Sequence, residues 1–244
     1  MAAEVQRTTS AETCCPIVEL RRYTLHSGQR DTLIELFDRE FIETQEALDM
    51  KVIGQFRLPD DPDHFLWLRG FTDMPSRAKG LGAFYGGPVW KEHRAVANTT
   101  MIDSDNVLLL RPARPASGFV HSPNERDVTI ASRRFVVSIY SFREPDEQGF
   151  VPYFEDTIAP AATERGWSIS GYFVTEHTPN NFPTLPVREN ENAFVWFAAL
   201  PETSTLDSGA RSLDWQTAHD AFAERLNAPP EILRLEPTAR SLLR

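Results

Sequence analysis

No run of apolar residues in this chain approaches the roughly 20 that a bilayer-spanning helix requires. The opening stretch MAAEVQRTTSAETCC has no apolar segment of the kind an export signal carries, so a cytoplasmic protein with no membrane partner is expected. Cysteine is equally scarce. Cys14 and Cys15 are the only two, and adjacent residues cannot staple one part of the chain to another, which makes a reducing compartment the default. Basic residues are outnumbered, 25 Lys and Arg against 35 Asp and Glu, for a formal net charge of −10. Phosphate backbones need clustered positive charge, so a nucleic-acid partner is excluded. HExxH, paired CxxC and calcium-loop spacings are also missing, and neither a metal nor another cofactor is expected.

What is present is one unit written twice. Tyr23 and Tyr140, Phe37 and Phe154, and Gly54 and Gly171 each stand 117 positions apart. Trp67 and Trp196 are 129 apart, so the second copy is 12 residues longer between its middle strands. Trp90 and Trp215, like Pro112 and Pro237, are 125 apart, so it is 4 residues shorter before its last helix. The boundaries follow: a loose tail over 1–15, a first repeat over 16–112, a Pro- and Ser-containing linker over 113–133 and a second repeat over 134–244.

Within the first repeat, residues 17–25 (IVELRRYTL) are rich in β-branched and apolar types and predict a strand. A helix opening at Ser27 and Gly28 places Leu33, Ile34, Phe37, Phe41 and Leu48 on one apolar stripe. Strands at 51–57 and 64–71 join across the turn-rich PDDPD. Asp73 and Pro75 mark a second helix start. GLGAFYGGP is expected to break that helix before it resumes ahead of a strand at 106–111. The second repeat follows suit, with strands at 134–142, 168–175, 192–200 and 231–235 and a helix at 147–165 that Gly166 ends. A closing helix is expected to align Trp215, His219, Phe222 and Leu226. Each order is β-α-β-β-α-β, a ferredoxin-like unit whose antiparallel sheet carries both helices on one face. Two such sheets in one chain bury their open faces together, which predicts an α+β fold of two tandem ferredoxin-like repeats forming a barrel.

The run Glu19-Leu20-Arg21-Arg22-Tyr23-Thr24-Leu25 with Gly28, then Leu66-Trp67 with Phe71, Arg77 and Trp90, resembles the NIPSNAP family. The likeness covers the first repeat, while the second keeps Tyr140 but has Val136 and Ser138 in place of Glu19 and Arg21. The resemblance implies the dimeric α/β-barrel superfamily, alongside antibiotic-biosynthesis monooxygenases and EthD-like proteins. That superfamily spans oxygenation, isomerisation, decarboxylation, haem chemistry and simple binding, so fold does not decide function.

Alternation along the first strand puts Glu19, Arg21 and Tyr23 on one sheet face. If that face lines the barrel, a carboxylate, a guanidinium and a phenol converge where water is scarce, a setting for proton transfer. Arg21 would hold an anionic oxygen, Glu19 or His64 would move a proton and Tyr23 would donate a hydrogen bond. The same residues also fit a structural pairing of Glu19 with Arg21 beside a packed Tyr23. Trp67 and Arg69 share a face with Phe71, and with Tyr85, Trp90 and His93 they are candidates to line a cavity for a flat organic molecule. His93, three residues after Trp90, fits an acid, base or haem ligand as well as a packed ring. His26, His121 and His177 fall in loops. Gly80, Gly82, Gly86 and Gly87 lack the Lys-Ser/Thr ending of a phosphate loop. The sequence therefore supports a cofactor-independent enzyme that works on a small organic molecule in the barrel by proton transfer or oxygenation. A non-catalytic binding or scaffold protein is the alternative, with a haem barrel third, and a homodimer or higher homo-oligomer is allowed. The Pro- and Asn-rich gain TEHTPNNFPTLPVREN lids a pocket or covers a sheet edge; its length does not say which.

Overall fold

The computed structural model describes residues 13–120, 126, 133–201 and 222–244. In the first repeat, β1 (Ile17–Leu25) leads through Gly28 to a helical segment made of α1 (Arg30–Leu36), a π-helical turn (Phe37–Phe41) and α2 (Ile42–Glu46). The antiparallel hairpin β2 (Lys51–Arg57) and β3 (His64–Phe71) follows. α3 (Met74–Gly86) starts where Asp73 accepts the Ser76 N–H at 2.7 Å and Pro75 occupies the first turn. α4 (Pro88–Thr100) and β4 (Met101–Pro112) complete the unit. The second repeat supplies β5 (Phe135–Ser141), α5 (Glu147–Tyr153), a π-helical turn (Phe154–Ile158), α6 (Ala159–Glu164), β6 (Ser168–Thr175), β7 (Ala193–Ala199) and β8 (Glu231–Pro237).

These strands close into one antiparallel barrel in the order β1-β3-β2-β8-β5-β7-β6-β4. Each repeat contributes a contiguous half, and the halves meet along two short seams, β2 with β8 and β4 with β6. The duplication extends to local irregularities. Both π-helical turns begin at the paired Phe37 and Phe154. Both second strands bulge at the paired glycines, between Val52 and Gly54 and between Ile169 and Gly171. A Cβ on Gly54 would lie 2.6 Å from the Phe56 ring, and one on Gly171 would lie 2.9 Å from Phe173, so each bulge needs a residue without a side chain.

Alternation sorts the side chains into three cores. The barrel interior is apolar and built by both repeats, with Val18, Leu20, Leu66 and Leu68 facing Phe135, Val137, Phe173, Val195 and Phe197. The other two cores lie outside the barrel wall, between each half-sheet and its helices. This decides the face that the sequence left open. Glu19, Arg21 and Tyr23 point away from the packed interior and under the helices of the first repeat, because Val18 and Leu20 take the inner positions.

Smaller expectations also change. GLGAFYG is helical and belongs to α3, and the break falls at Gly87, whose backbone is extended. Gly80 lies in the helix, where a Cβ would come 2.8 Å from Met50. Phe222 and Leu226 do not share a helix face: a 3-10 turn (Ala223–Arg225) separates them, and Leu226 bridges to Phe142. Trp215 and His219, like His121, lie outside the described residues. Thr13, Cys14 and Cys15 are attached to the body, since Thr13 bridges Val120 and Cys15 is buried against Gly70. Cys14 and Cys15 are disulfide-bonded to each other, a link that ties neither repeat to the other. No helix among the described residues is long and apolar enough to cross a membrane.

Candidate functional site

On the helix-covered face of the first repeat, β1 and β3 pair with Glu19 opposite Arg69 and Arg21 opposite Trp67. The register brings side chains 50 positions apart in sequence into contact. Arg69 bonds Glu19 Oε2 through Nη2 at 2.6 Å and Nε at 3.2 Å, and Arg21 Nη1 donates to the same oxygen at 2.9 Å. Arg77, carried in from above by α3, donates from Nε to Oε1 at 2.7 Å. All four side chains are fully buried. Arg69 Nη1 also donates to Gln45 Oε1 at 2.9 Å, and Gln45 is anchored to the carbonyl of Phe41 at the end of the π-helical turn. Arg21 Nε donates to the Tyr23 hydroxyl at 3.0 Å. Arg21 and Arg69 also lie over the Trp67 ring, 5.8 and 5.0 Å from its centre.

The charges in this cluster do not cancel. Among the described residues Glu19 is the one carboxylate that reaches these three guanidiniums, so the buried set carries a formal surplus of two positive charges. Burial by itself would raise the Glu19 pKa, but Arg69, Arg21 and Arg77 hold it far below the usual carboxylate range. With both oxygens engaged, Glu19 acts as a counter-ion and does not carry protons. Burial raises the Tyr23 phenol although Arg21 pulls it down, so Tyr23 stays protonated, accepts from Arg21 and keeps its own O–H to give. Burial draws Arg77 below its ordinary value despite Glu19. Arg21 Nη2, Arg77 Nη2 and Trp67 Nε1 have no hydrogen-bond partner among the described residues.

Beside the cluster lies a cavity of about 20 Å³, lined by Tyr23, Gln45, Trp67, Phe41, Tyr85 and Trp90 among others. That volume holds about one water molecule. Three of its lining groups touch the guanidiniums directly: Tyr23 and Gln45 by hydrogen bonds, Trp67 by its ring face.

Of the candidates named from sequence, Glu19, Arg21, Tyr23, Trp67, Arg69, Tyr85 and Trp90 are brought together here. His64 is not. It takes the same alternation as Leu66 and Leu68, opposite to Trp67, at the strand's start. There its Nε2 meets Thr24 Oγ1 at 3.1 Å and its Nδ1 lies 2.7 Å from Asp61. His93 packs against Phe41 outside the cavity lining and lies 3.6 Å from Glu40. Arg77 is a full member of the cluster. Its spacing to Leu81 and Phe84 marks it as facing inward on α3, a signal available in the sequence. Phe37 and Phe41 lie on the apolar stripe read from the sequence, whereas Gln45, a polar residue just beyond the π-helical turn, is not marked out by an apolar pattern. Asn180, Asn181 and Phe182 arrive from the second repeat: both asparagine side-chain oxygens accept from Arg77 Nη1, at 3.0 and 2.8 Å, and Phe182 stacks on Tyr85.

The family model for NIPSNAP matches residues 18–116, a span that contains every arginine of the cluster. Over that span the chain is similar to the NIPSNAP family. No curated protein matches the chain. Among solved structures, a candidate monooxygenase from Lactobacillus acidophilus superposes with a TM-score of 0.54 at 12% identity, covering 93% of this chain and 94% of its own. A candidate monooxygenase from Fusobacterium nucleatum gives 0.58 at 8% identity, over 92% and 93%. An anthrone oxidase-like protein gives 0.57 at 8%, over 91% of each chain. At such identities these likenesses establish the barrel architecture and leave the chemistry to the site.

Proposed function

We propose that the NIPSNAP-like first repeat of this chain is an enzyme domain that binds a flat organic molecule bearing an acidic hydroxyl or an enolisable carbonyl and stabilises the oxyanion formed from it. The observation that carries the reading is the buried surplus of guanidinium charge beside an aromatic cavity. Buried cations without full compensation are costly, and an oxygen anion supplies what Glu19 alone does not. Arg21 provides the charge, Tyr23 donates its O–H to the same oxygen, and Trp67, Trp90 and Tyr85 sandwich the flat body. An enolate or phenolate held this way, its proton released to water, places electron density on carbon, where a proton or dioxygen can add. The likeness in fold to candidate monooxygenases and to an anthrone oxidase-like protein is compatible with oxygenation.

Absorption spectroscopy with 2-naphthol tests this, because phenol and phenolate absorb at different wavelengths. The expected result is binding in the phenolate form at neutral pH. Tyr23→Phe should weaken binding about five- to tenfold, the worth of one hydrogen bond. Binding only as the neutral naphthol, or with no sensitivity to Arg21→Lys, would overturn the reading. The binding-only alternative predicts the same spectrum and no turnover of any bound probe. It is favoured by Glu19, whose two oxygens are both engaged by arginines and so take no proton from a bound molecule.

A further inference from the structure

The 12-residue gain in the second repeat begins and ends on the first. The backbone N–H of Glu176 donates to the Leu109 carbonyl at 2.8 Å, and that of Arg188 donates to Val107 at 2.9 Å, so the loop caps the part of β4 that β6 does not pair. Between these two points residues 177–187 rise over the first repeat's helices. The excursion is internally braced: Phe182 N–H bonds Asn180 Oδ1 at 3.1 Å, Leu185 N–H bonds the Phe182 carbonyl at 3.0 Å, and Pro179, Pro183 and Pro186 stiffen it. Asn180 Nδ2 donates to the Leu185 carbonyl at 3.1 Å and Asn181 Nδ2 to the Met74 carbonyl at 2.5 Å. Those bonds orient both amides, leaving both oxygens on Arg77 Nη1. Two oxygens converging on one guanidinium nitrogen imitate a carboxylate. Arg77 Nη2, on the same fork, has no hydrogen-bond partner among the described residues.

The loop also backs the cavity wall. Phe182 stacks on Tyr85 with ring centres 6.1 Å apart, and Tyr85 in turn meets Trp90 at 4.8 Å. A cavity of about 20 Å³ admits no organic molecule as it stands. Tyr85, near the end of α3, is the wall residue whose ring is backed from outside by this loop, which is fastened at its two ends and on Arg77.

We propose that residues 177–187 are a lid given by the second repeat to the site of the first, and that Asn180 and Asn181 occupy a carboxylate subsite on Arg77. The ligand is then an aromatic or unsaturated carboxylic acid whose carboxylate replaces the two amide oxygens as the lid opens. The inference rests on the oxyanion reading above and narrows it to acids that also carry a hydroxyl or carbonyl oxygen.

The test compares 3-hydroxy-2-naphthoate with 2-naphthol, alongside hydrogen exchange over residues 177–187. The acid should bind wild type about tenfold or more tightly than the naphthol, as a new charge-assisted contact to arginine implies. Asn181→Asp gives Arg77 a resident carboxylate, so the acid's advantage should disappear, while the loss of the amide's bond to the Met74 carbonyl should alter exchange across the lid in the free protein. In N180A/N181A, exchange should quicken and the acid should bind more tightly still. If 2-naphthol binds as its phenolate but the acid has no advantage, or N181D leaves that advantage intact, the subsite is refuted and the oxyanion reading stands. If neither probe binds, both fail together. Unchanged exchange in both variants refutes the lid without any ligand.

Discussion

Glu19→Gln is the perturbation that probes the cluster most directly. The substitution keeps the shape of the side chain and removes the single negative charge that Arg21, Arg69 and Arg77 share at 2.9, 2.6 and 2.7 Å. At an effective dielectric constant near 20, each such contact carries roughly 4 kcal/mol of attraction, much of it offset by the desolvation that the carboxylate no longer suffers. Removing one partner of a buried ionic group typically costs about 3–5 kcal/mol net. For a chain of this size that lowers Tm by roughly 6–20 °C. Urea unfolding followed by tryptophan fluorescence measures the loss, with the buried Trp67 beside the cluster as reporter. The double variant Glu19→Gln with Arg77→Leu should recover part of the stability, because it withdraws one of three mutually repelling cations. A loss below about 1 kcal/mol, with no coupling between the two sites, would mean that the guanidiniums are hydrated and not compensated by Glu19. The case for an anion site would fall with it.

The same carboxylate sets a pH dependence. Its folded-state pKa is depressed, so its stabilisation is fully present above its ordinary value of 4.5 and is lost as pH falls below that, since the unfolded chain takes up a proton that the folded one refuses. Urea midpoints from neutral pH to about 3 should fall steeply in wild type and less steeply in Glu19→Gln. At the bulges, Gly54→Ala and Gly171→Ala each force a Cβ into a buried phenylalanine ring and should cost about 1–3 kcal/mol in the same assay. Tyr172 is pushed up to about 12 by burial and by the 2.8 Å bond it donates to Glu155. Alkaline titration of tyrosinate absorbance should therefore show a late-ionising group that Glu155→Gln moves earlier.

Much of the architecture can be read from spacing alone, because a duplication turns each pair of matching residues into a check on the other. The offset of 117 locates both π-helical turns and both bulges, although nothing in the pattern of Phe37 or Phe154 announces a π-helical turn. Alternation correctly placed Glu19, Arg21 and Tyr23 on one face, and likewise Trp67, Arg69 and Phe71. It could not say which face closes into the barrel, because both faces of a covered strand read as buried: all but two residues of β1 are inaccessible. Arg77 was legible as an inward position on α3. Gln45 and the asparagines were not, since one depends on a π-helical turn and the others on a loop whose course is set by contacts with β4.

The two copies have divided the work that a pair of identical subunits would have to share. Where the first has Glu19, Arg21 and Arg69, the second has Val136, Ser138 and Ala198; Phe154, Phe194 and Trp196 around Tyr140 repeat Phe37, Phe65 and Trp67 around Tyr23, and Phe150 stands where the first repeat has Leu33. That half is a packed support, and its distinctive addition, the loop after β6, is spent on the other half's site. The reciprocal loop of the first repeat, the turn between β2 and β3, is too short to return the favour: it spans only residues 58–63. Restoring the charges alone, as in V136E/S138R/A198R, should therefore yield an unfolded or destabilised second repeat and no second naphthol site. The reinstated charges would enter a fully apolar core in which Phe150 adds a ring where the first repeat has Leu33, and the turn over residues 58–63 would not reach across to complete the site. Two equivalents of bound probe in that variant would show that the aromatic packing yields to the charges, and that the asymmetry between the repeats is not what limits the chain to one site.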